Sequence, residues 1–250
     1  MRIFLILYRK ELKGFFLNPF GWVVVAFVAL MHGISIATAM KGFRDSPVSD
    51  SLVYVAFHTP VFWFYFLFIF PLLTMRLFAE EERSGTLETL LTAPVKSSSV
   101  VLSKYAAALT FYVFLWIPTL VQFKLFDWVT GLPPAYSPGA VIGSYLILLL
   151  IGALFLAIGC LASAMTSSQI IAGIVTVGLL VILHFLGYVT VIWGASFPGA
   201  QVFENMSSRQ HLHFFAKGLI DSRAIVHYLS ATVLALFLTY QVLDFRRWRA

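Results

Sequence analysis

Long apolar runs alternate with short charged stretches along this chain. The windows free of Asp, Glu, Lys and Arg are Gly14–Met40, Ser51–Met75, Tyr105–Phe123, Trp128–Phe203 and Ala224–Leu243. About 20 apolar residues cross the hydrocarbon core of a bilayer as a helix, so each window has room for a span. Trp128–Phe203 is far too long for one, and it breaks at the polar stretch Ser163-Ala-Met-Thr-Ser-Ser-Gln169. The pattern predicts an all-α integral membrane protein with six transmembrane helices, near 20–40, 57–78, 102–126, 139–162, 169–194 and 224–244. The windows are apolar all round, as lipid-embedded helices must be. A barrel strand would alternate every second residue, and no such alternation is present.

The segment before the first span has a different pattern. On a helical wheel, Arg2, Arg9, Lys10 and Lys13 share one arc, and Phe4, Leu7, Tyr8, Leu12 and Phe15 share the other. This predicts an interfacial amphipathic helix over 1–19, turned into the membrane at Asn18-Pro19. The charges at residues 9–13 interrupt the apolar start, so the pattern is not that of a cleavable signal peptide. Glu11 falls inside the apolar arc, where it is either snorkelled toward water or held by a partner protein. Lys104 flanks the third span and is expected to snorkel.

Composition agrees with lipid as the solvent. Of 250 residues, 60% are hydrophobic and only 11% charged, with a mean hydropathy of +0.90. That excludes most soluble enzymes, free nucleic-acid binders and disordered chains. The net charge of +6 therefore bears on orientation. Eleven Lys and Arg flank one side of the six predicted spans and six flank the other, which places both termini in the cytoplasm. Trp22 and Trp248 fall near the inner boundary, Trp128 and Trp193 near the outer one. A single cysteine, Cys160, rules out an internal disulfide framework.

The loops are unequal. The cytoplasmic loop 79–100 holds Glu80, Glu81, Glu82 and Glu88, four of the 11 acidic residues. Gly85 breaks the outgoing helix, Thr86 can cap a new one, and Pro94 ends it. Leu87, Leu90 and Leu91 recur at helical spacing and predict one apolar face. That face suits a groove in a soluble partner, because the Glu80–Glu82 run is repelled by anionic headgroups. The outer segment 195–223 has a turn at Phe197-Pro-Gly199 that lets the chain re-enter the leaflet. Phe214, Phe215 and Leu219 are spaced for a short helix there. His211 and His213 lack an evident third metal ligand and read as surface histidines. His32, His58 and His184 lie in or near spans, as structural histidines or as haem ligands. Gly139, Gly143, Gly159 and Ser163 allow close helix packing. No G-x-x-x-x-G-K-[ST] phosphate loop is present, and nothing between Trp128 and Phe203 is charged. A source of energy would therefore come from outside this chain.

Three stretches resemble the permease subunits of type-2 ABC exporters: Lys10-Glu-Leu-Lys13 with Asn18-Pro19, Glu82-Arg-Ser-Gly-Thr-Leu-Glu-Thr-Leu-Leu-Thr-Ala-Pro-Val95, and Gly159-Cys-Leu-Ala-Ser163 with Gln169-Ile-Ile-Ala172. The pattern is most similar to the small gliding-motility and nitrous-oxide-reductase-maturation permeases. The resemblance implies one transmembrane permease domain over 1–250, without enzymatic activity or a cofactor of its own. ATP and Mg would sit on a separate ABC ATPase subunit, in two copies. A second permease chain, the same or different, would complete the pathway in the bacterial inner membrane. An extracytoplasmic auxiliary protein accompanies some relatives. Glu11, the acidic run, Arg83, Gly85 and the Thr86–Pro94 segment would then form the ATPase-coupling interface. Two other readings stay open: a membrane anchor that transports nothing, and a haem or quinone redox subunit.

Overall fold

The computed structural model describes residues 2–45, 52–87, 95–131, 137–189, 194, 203 and 206–247. Among these, regular structure is helical throughout. The first helix is α1 (Arg2–Leu17), followed by α2 (Pro19–Asp45), whose Phe20 amide donates to Asn18 Oδ1 at 3.0 Å. Then come α3 (Leu52–His58), α4 (Pro60–Thr74) and the short α5 (Ala79–Arg83). They are followed by α6 (Ser97–Leu115), α7 (Ile117–Thr130), α8 (Pro138–Ala164) and α9 (Gln169–Leu186). The outer α10 (Ser208–Ala216) and the last helix α11 (Ser222–Arg247) complete the order.

Among the described residues, five helical stretches are long and apolar enough to cross a membrane, six if α3 and α4 count as one span. That pair departs from the straight second helix expected at 57–78. The chain bends by 63° between α3 and α4. Thr59 leaves the helical conformation and accepts the Phe62 amide at 3.1 Å, and Pro60 starts α4. A proline at the first helical position removes the amide that would have continued α3. In the third span the helical bonding is interrupted at Trp116, because Pro118 cannot donate to the carbonyl four residues back, yet Ser97–Val129 stays one span. α9 runs to Leu186, and half of the remaining stretch up to the expected 194 lies outside the described residues. Residues 190–193 and 195–202, including the expected re-entrant turn and Trp193, lie outside the described residues, as does Trp248.

α8 forms the centre, packed against α4, α6, α9, α10 and α11. Its small residues set how near the neighbours come. A Cβ on Gly143 would strike the Phe215 carbonyl of α10, one on Gly152 the Tyr112 ring, and one on Gly159 the buried Thr74 side chain. Gly139 faces open space within this chain, so it brings no helix close here. At i, i+4 spacing Phe62 stacks on Phe66 at 5.1 Å and Phe66 meets Phe70 edge-on at 5.0 Å, and Phe70 meets Phe155 of α8 edge-on at 5.1 Å. Such offset and edge-to-face pairs add to burial.

Candidate functional site

The charge of the chain converges beside α5. Lys104 of α6 is 3% exposed and lies 2.9 Å from Glu11 Oε1 of α1 and 3.0 Å from Glu81 Oε1 of α5. Its ammonium also stands 5.5 Å from the centre of the Phe78 ring. Lys10 donates to the same Glu81 oxygen at 3.2 Å, from a side chain that is 64% exposed. Glu11 is therefore not simply snorkelled: it accepts from a lysine of its own chain. Lys104 does not snorkel, because two carboxylates meet it where it is buried. The second Glu81 oxygen is buried with no partner among the described residues.

This pairing also changes the role of α1. Its apolar arc packs across α6 rather than only onto lipid. Phe15 stacks on Phe111 at 5.0 Å, Phe16 meets Phe114 edge-on at 4.9 Å, and Tyr8 hydrogen-bonds Thr110 at 3.0 Å. The charge that seemed misplaced in that arc is the one that faces Lys104.

Two further contacts hold α5. The Ser163 hydroxyl, at the end of α8, accepts the amides of Phe78 and Ala79 at 3.1 and 3.2 Å and donates to the Met75 carbonyl at 3.3 Å. One hydroxyl thus uses its donor and both lone pairs to satisfy amides at the start of a helix. From the other side, Arg246 of α11 pairs with Glu82 at 2.6 Å. Arg247 donates to the Val95 carbonyl at 3.3 Å, and Ser97 donates to Asp244 at 3.4 Å. The base of the loop is therefore attached to α1, α6, α8 and α11.

The structure divides the predicted loop residues. Glu80, Arg83, Gly85 and Thr86 are exposed. Gly85 has φ +70°, which ends α5 as its sequence position suggests. Thr86 turns its hydroxyl back to the Glu81 carbonyl at 3.3 Å and to Ser84 at 2.9 Å. Leu87 is 1% exposed and belongs to the core of this chain, so its side chain is not offered to a partner. Periodicity identifies a face that will be buried but not what buries it. Glu88, Leu90, Leu91 and Pro94 lie outside the described residues.

At the opposite end, α10 corrects the reading of its histidines. His211 is 9% exposed, bonded to the Tyr228 hydroxyl at 3.0 Å, and Tyr228 donates to Ser208 at 3.3 Å. Burial, with His227 nearby, pushes the His211 imidazole down to about 4, against a smaller opposing pull from Asp221. His213 is half-buried and 2.6 Å from the Tyr54 hydroxyl. Phe215 is buried, whereas Phe214 and Leu219 are exposed, and Leu219 falls beyond the helix. Within the spans, His32 Nδ1 donates to Gln122 Oε1 at 2.8 Å, His58 Nδ1 donates to the Tyr54 carbonyl at 2.7 Å, and His184 lies 4.5 Å from the Trp63 ring. Each meets a different neighbour. No group of three metal-ligating side chains occurs among the described residues.

Residues 18–187 match the family model described as "ABC-2 family transporter protein". No curated protein matches the chain. The matched region takes in α2 through α9 and the loop-bearing end, and leaves α1, α10 and α11 outside it.

Proposed function

The chain belongs to the ABC-2 family of transporter proteins, and from that premise we propose that it is the permease subunit of an ATP-driven exporter of the bacterial inner membrane. Membership makes it a multi-pass integral membrane protein and an ABC transporter permease whose family works with an ABC ATPase. The finer reading has six spans and both termini in the cytoplasm. Two permease chains, identical or different, pair around a pathway with two ATPase subunits beneath. ATP and Mg are bound by those subunits. On the loop pattern the chain is read as resembling the small gliding-motility and nitrous-oxide-reductase-maturation permeases, with an extracytoplasmic auxiliary protein as a candidate partner.

The observation that supports this reading is the attachment of α5. A loop that transmits force must be rigid at its base and free at its tip. Here the base is tied by Lys104–Glu81, Arg246–Glu82 and Ser163, while Arg83, Gly85 and Thr86 are exposed. Movement of the tip by an ATPase would travel through these contacts to α1, α6, α8 and α11 as a rigid-body displacement. The coupling interface we assign is Arg83, Gly85, Thr86 and the Glu88–Pro94 segment, whereas Glu80 turns toward the corner lined by Phe20 and Arg76. Glu11, Glu81 and Glu82 act behind it, holding the loop.

Co-purification with the cognate ATPase tests the interface. Arg83→Glu together with Leu90→Ser and Leu91→Ser should remove the ATPase from the purified permease. Ser163→Ala should retain it but lower permease-dependent stimulation of ATP hydrolysis, because two buried amides lose their acceptor at about 1–3 kcal/mol each. Undiminished association of the triple variant would sink the assignment.

A further inference from the structure

A cavity lies in the corner between α1, α2, the end of α4 and the start of α5. It encloses about 190 Å³ and has an apolar floor that includes Phe15, Phe20, Leu72 and Leu73. Three charged residues line it: Glu11, Arg76 and Glu80. Glu11 is committed to Lys104. Arg76 and Glu80 are exposed, and neither forms an ion pair with the other or with any other described residue. The Arg76 guanidinium is held over the Phe20 ring, 4.6 Å from its centre, which fixes its position without using its hydrogen-bond donors. The cavity thus presents one ordered cation and one carboxylate, a helical turn apart in sequence, with no counter-charge supplied by the described residues.

The surroundings identify the environment. Leu17 at the end of α1, and Trp22 and Val23 in the first turn of α2, are large apolar side chains left exposed. In a multi-pass membrane protein such surface belongs against lipid. The Trp22 indole donates to the Phe16 carbonyl at 2.8 Å, the posture of an aromatic anchor at the boundary between headgroups and hydrocarbon. The cavity therefore lies at headgroup depth.

We propose that this corner binds the headgroup of a zwitterionic phospholipid of the phosphatidylethanolamine type. The planar fork of Arg76 matches phosphate oxygens, and Glu80 accepts the ammonium. A purely anionic headgroup would satisfy Arg76 but would meet the unpaired Glu80 carboxylate with like charge, since Glu81 and Glu82 are already neutralised by Lys104 and Arg246. The bound lipid would wedge between α1 and the start of α5, beside the loop base, so lipid composition would tune how firmly that base is held.

The test uses the purified, delipidated full-length chain in neutral detergent. Thermal unfolding is followed during titration with short-chain phosphatidylethanolamine, short-chain phosphatidylglycerol or free phosphoethanolamine. Wild type should be stabilised by phosphatidylethanolamine at lower concentration than by phosphatidylglycerol, and not by phosphoethanolamine. Arg76→Gln should lose about tenfold or more in apparent affinity for phosphatidylethanolamine, the scale of one charge-assisted contact. Glu80→Gln should make the two lipids equal. Native mass spectrometry of wild type from a mixture of both lipids reads the same preference without any variant. Equal retention of the two lipids, an Arg76→Gln variant that responds as wild type, a preserved preference in Glu80→Gln, or stabilisation by phosphoethanolamine alone would each overturn the proposal.

Discussion

Lys104 shows how one residue ties distant segments together. A buried ammonium is tolerated only when paired and hydrogen-bonded, and Lys104 has a carboxylate on either side from helices separated by about 70 residues of chain. Removing one side of a buried pair costs about 3–5 kcal/mol because the other charge stays behind. Lys10 pairs with the same Glu81 oxygen, yet it is 64% exposed, where such pairs contribute about 0–1 kcal/mol. Lys104→Ala should therefore lower the unfolding midpoint well below that of Lys10→Ala. Added salt should erase the small Lys10 effect and leave most of the Lys104 effect. Equal midpoints for the two variants would mean that Lys104 is not buried as described. From sequence, Lys104 reads only as a flank of the third span. Glu11 reads as an anomaly in an apolar arc, which is the one signal that pointed to a partner.

At the scale of elements, α10 depends on a neutral histidine. His211 packs against α11 through Tyr228, whose hydroxyl donates back to Ser208 of α10. Its imidazole is held down to about 4, from 6.5, mainly by burial. A base whose pKa is lowered on folding takes up its proton in the unfolded chain first. The contribution of His211 is thus complete above about pH 6.5 and is lost as the pH falls from 6.5 toward 4. The wild-type midpoint should drop over that range more than the midpoint of His211→Gln. Parallel pH profiles would refute the assignment. The adjacent pair α3 and α4 shows how an element can be legible while its shape is not. Thr59-Pro60 is a visible break in the sequence. Its direction depends on Ser35 of α2, which hydrogen-bonds Thr59 at 3.0 Å across the interface.

For the whole molecule, the bend decides topology. If Leu52–Thr74 crosses the membrane despite its 63° bend, there are six spans and both termini share a side; if it does not, they lie on opposite sides. The native Cys160 is fully buried, so introduced cysteines can be read against it. Lys13→Cys and Arg247→Cys should react with a membrane-impermeant maleimide only after the cells are permeabilised, whereas Lys217→Cys should react in intact cells. Labelling of one terminus alone in intact cells would mean five spans. Labelling of both termini would invert the orientation.

The amino-acid sequence by itself determined the solvent, the helical class, the places where the chain can cross and the loop that gathers acidic charge. Those properties depend on the free energy of transferring each segment between water and lipid, which adds up along the chain and needs no knowledge of neighbours. The tertiary structure alone decided what each face meets. It turned Leu87 inward, set Glu11 against Lys104, buried His211, and left Arg76 and Glu80 facing a cavity. Such choices depend on pair interactions between residues far apart in sequence. A helical period shows that a face will be buried, but the opposing surface exists only once the helices have packed.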